Sequence, residues 1–246
     1  MRTSHQIVSS CLLGAMLWAS QAYIRGDGPV RPGGFGKEGS VSAYETASRK
    51  GLESSAAGVD SCTPPDNWSD TVTLYPQLTT DWCWAASGQM ILDFFKKHVS
   101  QCRQANEQFG LNNCCSNNTP GDCIKGGWPH FETYGLKPTL TCNQALSWDE
   151  VKTQIYCKQQ PFAFSWRWPT GGGHMMVAIG YKTDGANRLV CVNNPLPEGT
   201  GDYYCHSYEE YVSTTNHHTH WNDYYAFTQQ QRPAATNYEV PCAPPP

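Results

Sequence analysis

Residues 77–97 read QLTTDWCWAASGQMILDFFKK, and this stretch decides the fold. Its apolar residues Trp84, Met90, Ile91, Phe94 and Phe95 recur at a spacing that puts them on one face of a helix. Thr80 and Asp81 precede the run as candidates to cap the helix N-terminus. Lys96 and Lys97 close it, where positive charge suits the C-terminal end of a helix dipole. Cys83 therefore opens the first strong helix of the chain. A thiol in that position sits beside unsatisfied N–H groups and partial positive charge, and both favour the nucleophilic thiolate.

Downstream the period changes. A cysteine-dense, turn-rich segment runs from Cys102 to Cys123. Its adjacent Cys114 and Cys115 are expected to have separate partners. Ser147 and Glu150 form a capping box that opens a second helix, from Trp148 to about Lys158. After Pro161, Phe162, Phe164, Trp166 and Trp168 alternate with Ala163, Ser165 and Arg167, which reads as a strand. PTGGG makes a turn. HMMVAIGY (174–181) and RLVCVN (188–193) follow as apolar strands of a hairpin. Ser207 to Val212 reads as a short helix and NDYYAFT (222–228) as a last strand. Helices come first and an antiparallel sheet second, so the expected class is α+β.

Composition narrows the function. The chain has 246 residues, 15% charged, with a formal net charge of −4. No basic footprint points to nucleic acid. Residues 1–22 have the layout of a secretory signal peptide, and no later stretch approaches the about 18 consecutive apolar residues of a membrane span. The chain carries 12 cysteines, and removal of 1–22 leaves eleven. The simplest count is five disulfides with one cysteine left over, in a secreted or periplasmic protein. Residues 23–60, rich in Gly, Ser, Ala and charge, read as a flexible leader or propeptide. A compact domain spans 61–228. An extended tail, 229–246, is expected to be tied down through a disulfide at Cys242.

The leftover cysteine fits best at Cys83. A thiolate there attacks a carbonyl and forms an acyl-enzyme, provided a base is near. His174, after three glycines at the start of an apolar strand, is the candidate base. Asn194 ends the next strand, where a hairpin brings it beside His174, and can orient the imidazole. Asn193 is the adjacent alternative, on the opposite face by strand alternation. Gln77, six residues before Cys83, offers a side-chain amide that forms an oxyanion hole with the backbone N–H of Cys83. No cofactor or metal is required. His217, His218 and His220 lack the usual zinc spacing and read as a solvated loop. Asn67-Trp-Ser and Asn117-Asn-Thr fit the glycosylation sequon.

These residues carry a resemblance. Gln77 to Ser87 resembles the active-site helix of papain-like cysteine peptidases. Gly172-Gly-His174 and the apolar strand after it are similar to the histidine strand of that family. Val192-Asn-Asn194-Pro-Leu-Pro197 resembles the Asn/Asp-Pro segment of its compact bacterial branch, which includes effector peptidases and relatives of the peptidases that trim double-glycine leaders. The resemblance spans about residues 70–228. It implies a papain-like α+β fold, Cys83 as nucleophile, His174 as base, Asn194 as orienter and Gln77 as oxyanion donor, with a protein or peptide as substrate; a monomer is expected. The chain departs from the lysosomal and plant papains at Thr80-Asp81-Trp82, where those have Cys-Gly-Ser/Ala. His174 and Asn194 also lie nearer to Cys83 than the about 130–150 residues usual there. The compact branch often has Asp in place of Asn194. Two other functions share this frame: transglutaminase-like acyl transfer, and a binding module without catalysis.

Overall fold

A computed structural model describes residues 62–230 and Cys242. Residues 1–61, read above as signal peptide and leader, and most of the expected tail lie outside the described residues. The first strand, β1, is Asn67–Ser69. The helix expected after Asp81 is α1, Cys83–Phe94. Its N-cap is Trp82, which makes no side-chain capping bond, so Thr80 and Asp81 both precede the capping position. Asp81 instead adopts a left-handed conformation, φ 65°, which Asp tolerates better than most residues. That turn leads into the helix, whose capping position is taken by Trp82 and not by Thr80 or Asp81.

The cysteine-dense segment is not all turns. Gln101–Phe109 forms helix α2. Ser100 caps it by accepting from the Arg103 N–H, and Gly110 ends it at φ 65°. Short 3₁₀ turns at Gly121–Cys123 and Phe131–Tyr134 lead to strand β2, Leu136–Leu140. The Ser147/Glu150 capping box is present and opens α3, Trp148–Lys152, which continues as a π-helical turn over Thr153–Cys157.

The rest is sheet: β3 Phe162–Arg167, β4 Gly173–Asp184, β5 Asn187–Asn194, β6 Asp202–Ser207, β7 Ser213–Thr214 and β8 His218–Gln229, with α4, Tyr208–Val212, between β6 and β7. All pairings are antiparallel, in the order β2-β8-β3-β4-β5-β6, with β1 added to β4 and β7 to β8. The β4–β5 hairpin turns at Gly185, whose φ of 60° suits a tight turn. A Cβ at Gly173 would lie 2.1 Å from the Trp166 carbonyl oxygen. Only glycine lets β3 and β4 close at the point where His174 begins.

The sheet is covered on both faces, so the period-two pattern sorts side chains between two cores. Ala163, Met175, Val177 and Ile179 pack with α1. Phe162, Phe164, Trp166, Met176 and Ala178 pack with Val151, Ile155 and Tyr211 of the later helices. This second core corrects the reading of the histidine-rich stretch. His218 and His220 are buried within β8, 2% and 6% exposed, and not in a solvated loop. His218 stacks on the Trp166 ring at 3.8 Å, and its Nε2–H donates to the Glu210 carbonyl at 2.8 Å. Aromatic stacking and backbone acceptors make a home for imidazoles that polarity alone assigns to the surface. Among the described residues no group of His, Cys, Asp and Glu is placed to hold a metal ion.

Five disulfides join the described cysteines: Cys62–Cys157, Cys102–Cys115, Cys114–Cys123, Cys142–Cys242 and Cys191–Cys205. Cys114 and Cys115 have separate partners, and Cys242 holds the tail to Cys142. Cys83 is the one described cysteine outside a disulfide. Among the described residues no helix is long and apolar enough to cross a membrane.

Candidate active site

Cys83 is the first residue of α1 and is 5% exposed. The two tryptophans beside it fix where the helix starts. The Trp82 indole N–H donates to the Cys123 carbonyl at 2.8 Å, and that of Trp84 to the Lys125 carbonyl at 3.1 Å. Cys123 is itself bonded to Cys114. The cysteine-rich segment thus forms a buttress behind the start of α1. The apolar spacing marks Trp84 for one face of the helix, but nothing in it marks the role of Trp82. Its acceptor is a backbone carbonyl 41 residues away, which no local pattern announces.

Helix α1 packs across β3 and β4. His174 is the second residue of β4 and Asn194 the last of β5. Cys83 shares its apolar cluster with Met175, the neighbour of His174 in the chain. Between the two strands, Nε2 of His174 and Oδ1 of Asn194 are 2.8 Å apart. The Leu196 N–H donates to the same Oδ1 at 3.0 Å, which fixes that atom as the acceptor. His174 therefore carries its proton on Nε2. Its Nδ1 is buried with no hydrogen-bond partner among the described residues, a lone pair held ready for a proton. The amide Nδ2 of Asn194 faces the Tyr204 hydroxyl at 3.5 Å, and that hydroxyl donates to Sδ of Met176 at 3.4 Å. Asn193 does not compete: it turns away and donates to the Val72 carbonyl at 3.1 Å.

Gln77 is 2% exposed, in the segment that leads to α1. Its Nε2 donates to the Thr79 carbonyl at 3.1 Å, which uses one of two amide hydrogens. Its backbone is tied to the loop after Asn194. The Gln77 N–H donates to the Pro195 carbonyl at 2.9 Å, and its carbonyl accepts from the Gly199 N–H at 3.0 Å. Thr80 adds a side-chain bond to Glu198 at 3.4 Å. The segments before the cysteine and after the asparagine are thus stitched together.

A cysteine heading a helix laid across an antiparallel sheet, with histidine and asparagine on adjacent strands, is the papain-like α+β arrangement of cysteine peptidases. The chain belongs to the peptidase C39-like family, whose sequence profile matches residues 69–232. It is a cysteine peptidase, and proteins or peptides are its substrates. Comparison with curated proteins returns no match. Among solved structures it is similar to procathepsin B S9 from Trypanosoma congolense, at 13% identity, covering 71% of this chain and 80% of that one, with a TM-score of 0.45. Digestive procathepsin L 3 of Tenebrio molitor larval midgut is also similar, at 11% identity over 68% and 71%, TM-score 0.42. A structure from work on the mite allergens Blo t 1 and Der p 1 matches at 12% identity over 69% and 73%, TM-score 0.43.

Proposed function

We propose that this is an exported cysteine endopeptidase working through Cys83, His174 and Asn194, with Gln77 in its oxyanion hole. The thiolate of Cys83 attacks the peptide carbonyl. His174 holds the thiol proton on Nδ1 and delivers it to the leaving amine, and a thioester to Cys83 remains. His174 then takes a proton from water, which attacks the thioester and releases the acid. Asn194 keeps the ring in the tautomer that leaves Nδ1 available, as Asn does in papain-like proteases. The second amide hydrogen of Gln77 and the backbone N–H of Cys83 donate to the oxyanion of each tetrahedral intermediate. Neither step needs a metal or cofactor.

The observation that carries this reading is the His174–Asn194 bond at 2.8 Å, in a chain whose one described cysteine outside a disulfide heads α1. Export is supported by residues 1–22 and by the five disulfides, which persist in oxidising compartments. In this reading residues 23–60 precede a monomeric peptidase domain of residues 61–228, and 229–246 form its tail.

The test is hydrolysis of an unfolded protein substrate by the purified, unreduced protein. Wild type cleaves it, and Cys83→Ser and His174→Ala each lower kcat by on the order of 10³-fold or more. Cleavage unchanged in Cys83→Ser would refute the reading. Amine incorporation into glutamine faster than hydrolysis would replace it by acyl transfer.

A further inference from the structure

Gln101 is the first residue of α2 and is 1% exposed. Its side-chain amide is committed on both sides. Oε1 accepts from the Leu78 N–H at 3.0 Å, and Nε2 donates to the Pro76 carbonyl at 2.8 Å and to Oε1 of Gln89 at 3.1 Å. In an extended chain, successive residues present their backbone groups to opposite edges. Pro76 and Leu78 use one edge of the 76–78 segment, and Gln77 uses the other. On the Gln77 edge lies the loop after Asn194, through Pro195 and Gly199. On the opposite edge the Gln101 amide stands where a neighbouring strand would be, with a donor and an acceptor at backbone spacing.

We propose that Gln101 is a positioning residue for the reaction: it clamps the backbone on both sides of Gln77 and so sets the oxyanion donor. The inference rests on the catalytic reading above. Glutamine is the residue this place requires. Glutamate supplies the acceptor for Leu78 but no hydrogens for Pro76, and methionine fills the space with neither. A donor helps only at the position the oxyanion takes, and a shift of about 1 Å in a reacting geometry costs on the order of 10²-fold. Alkylation of the thiolate by iodoacetamide passes through no oxyanion, so it does not depend on this clamp.

The experiment compares wild type, Gln101→Met, Gln101→Glu, Gln77→Ala and the double variant Gln77→Ala/Gln101→Met. Measurements are kcat and KM on a peptide substrate, inhibition by a peptide aldehyde whose adduct carries an oxyanion, and the iodoacetamide rate at Cys83. Gln101→Met is expected to lower kcat and weaken the aldehyde by about 10- to 100-fold each, with KM and alkylation within about twofold of wild type. The double variant is expected to be no worse than Gln77→Ala, because a displaced donor and a missing donor are one loss. Wild-type kcat in Gln101→Met, losses that multiply in the double variant, or alkylation that falls in step with kcat would each overturn the proposal. Gln101→Glu provides the same readings if Gln101→Met does not fold. If neither folds, Gln101 is a structural joint and the proposal fails. Absence of Cys83 alkylation in wild type would instead strike the catalytic reading itself, so the two failures are distinct.

Discussion

The His174 imidazole donates through Nε2 to Oδ1 of Asn194 across 2.8 Å, and the Leu196 N–H donates to the same oxygen. One amide oxygen thus decides which ring nitrogen keeps its proton. Asn194→Ala frees the ring and is expected to lower kcat by about 10- to 100-fold, the loss of one ordering hydrogen bond of about 1.5–3 kcal/mol. Asn194→Asp keeps both acceptor contacts and adds a charge that favours imidazolium. Its activity is expected to stay above that of Asn194→Ala, because the ring keeps its acceptor. The kcat values of the three proteins check this. An unchanged kcat in Asn194→Ala would contradict it.

Stability is expected to fall in acid through the histidines of the second core. Burial pulls His206 down to about 3, with the charge of His218 adding to the effect. Burial also pulls His218 down to about 4, against the opposing bond to the Glu210 carbonyl. Both are lowered from an unfolded value near 6.5. As pH falls below about 6.5 the unfolded chain takes up protons that the native state refuses, so stability is lost down to the native values. Asp70 acts in the other direction, because burial raises it to about 6 and the native state binds its proton more tightly. The clean comparison is therefore between variants. His206 has both ring nitrogens buried without hydrogen bonds among the described residues, so His206→Leu is expected to be at least as stable as wild type at pH 7. From pH 6 to 4 it should gain on wild type by about 1.4 kcal/mol per pH unit in urea unfolding. Parallel stability curves would contradict this.

The disulfides differ in what they constrain. Cys142–Cys242 closes a span of 100 residues and Cys102–Cys115 one of 13. By loop-closure entropy the long bridge contributes about 4.7 kcal/mol and the short one about 3 kcal/mol. Replacing each pair by serines and measuring urea unfolding is expected to rank them in that order, and the reverse order would contradict it.

Trp82→Phe tests the buttress behind α1. An aromatic ring remains, but it is smaller than the indole and the Cys123 carbonyl loses its donor. A cost of about 1–3 kcal/mol in unfolding is expected, with Cys83 still alkylated once folded. A cost near zero would show that the indole bond does not hold the helix start.

The legible parts of the sequence were those whose physics is local. The helix after Asp81 follows from its apolar spacing. The β4–β5 hairpin follows from two apolar runs around Gly185, but it takes the register shift between Ala178 and Gly180 to carry Asn194 to the face of His174, and no local pattern announces that shift. The place of β8 between β2 and β3 was not legible because it joins distant segments, and the disulfide pairings were not because the cysteine spacing alone allows many pairings, short and long alike. The histidines of β8 misled because their burial depends on Trp166, more than fifty residues earlier. Ser100 and Gly110 do mark α2, but the surrounding cysteines read as turns. Gln101 escaped notice because its partners are backbone atoms across the active-site segment.

The central claim is that Cys83 is a thiolate activated by His174. The most direct measurement is alkylation of the unreduced protein by iodoacetamide near pH 6, with the adduct mapped by peptide mass, in wild type and in His174→Ala. Most ordinary thiols, with values near 8.5, are protonated at that pH. One rapid adduct is expected, on Cys83, at least about tenfold slower in His174→Ala. No adduct, or equal rates in the two proteins, would contradict it.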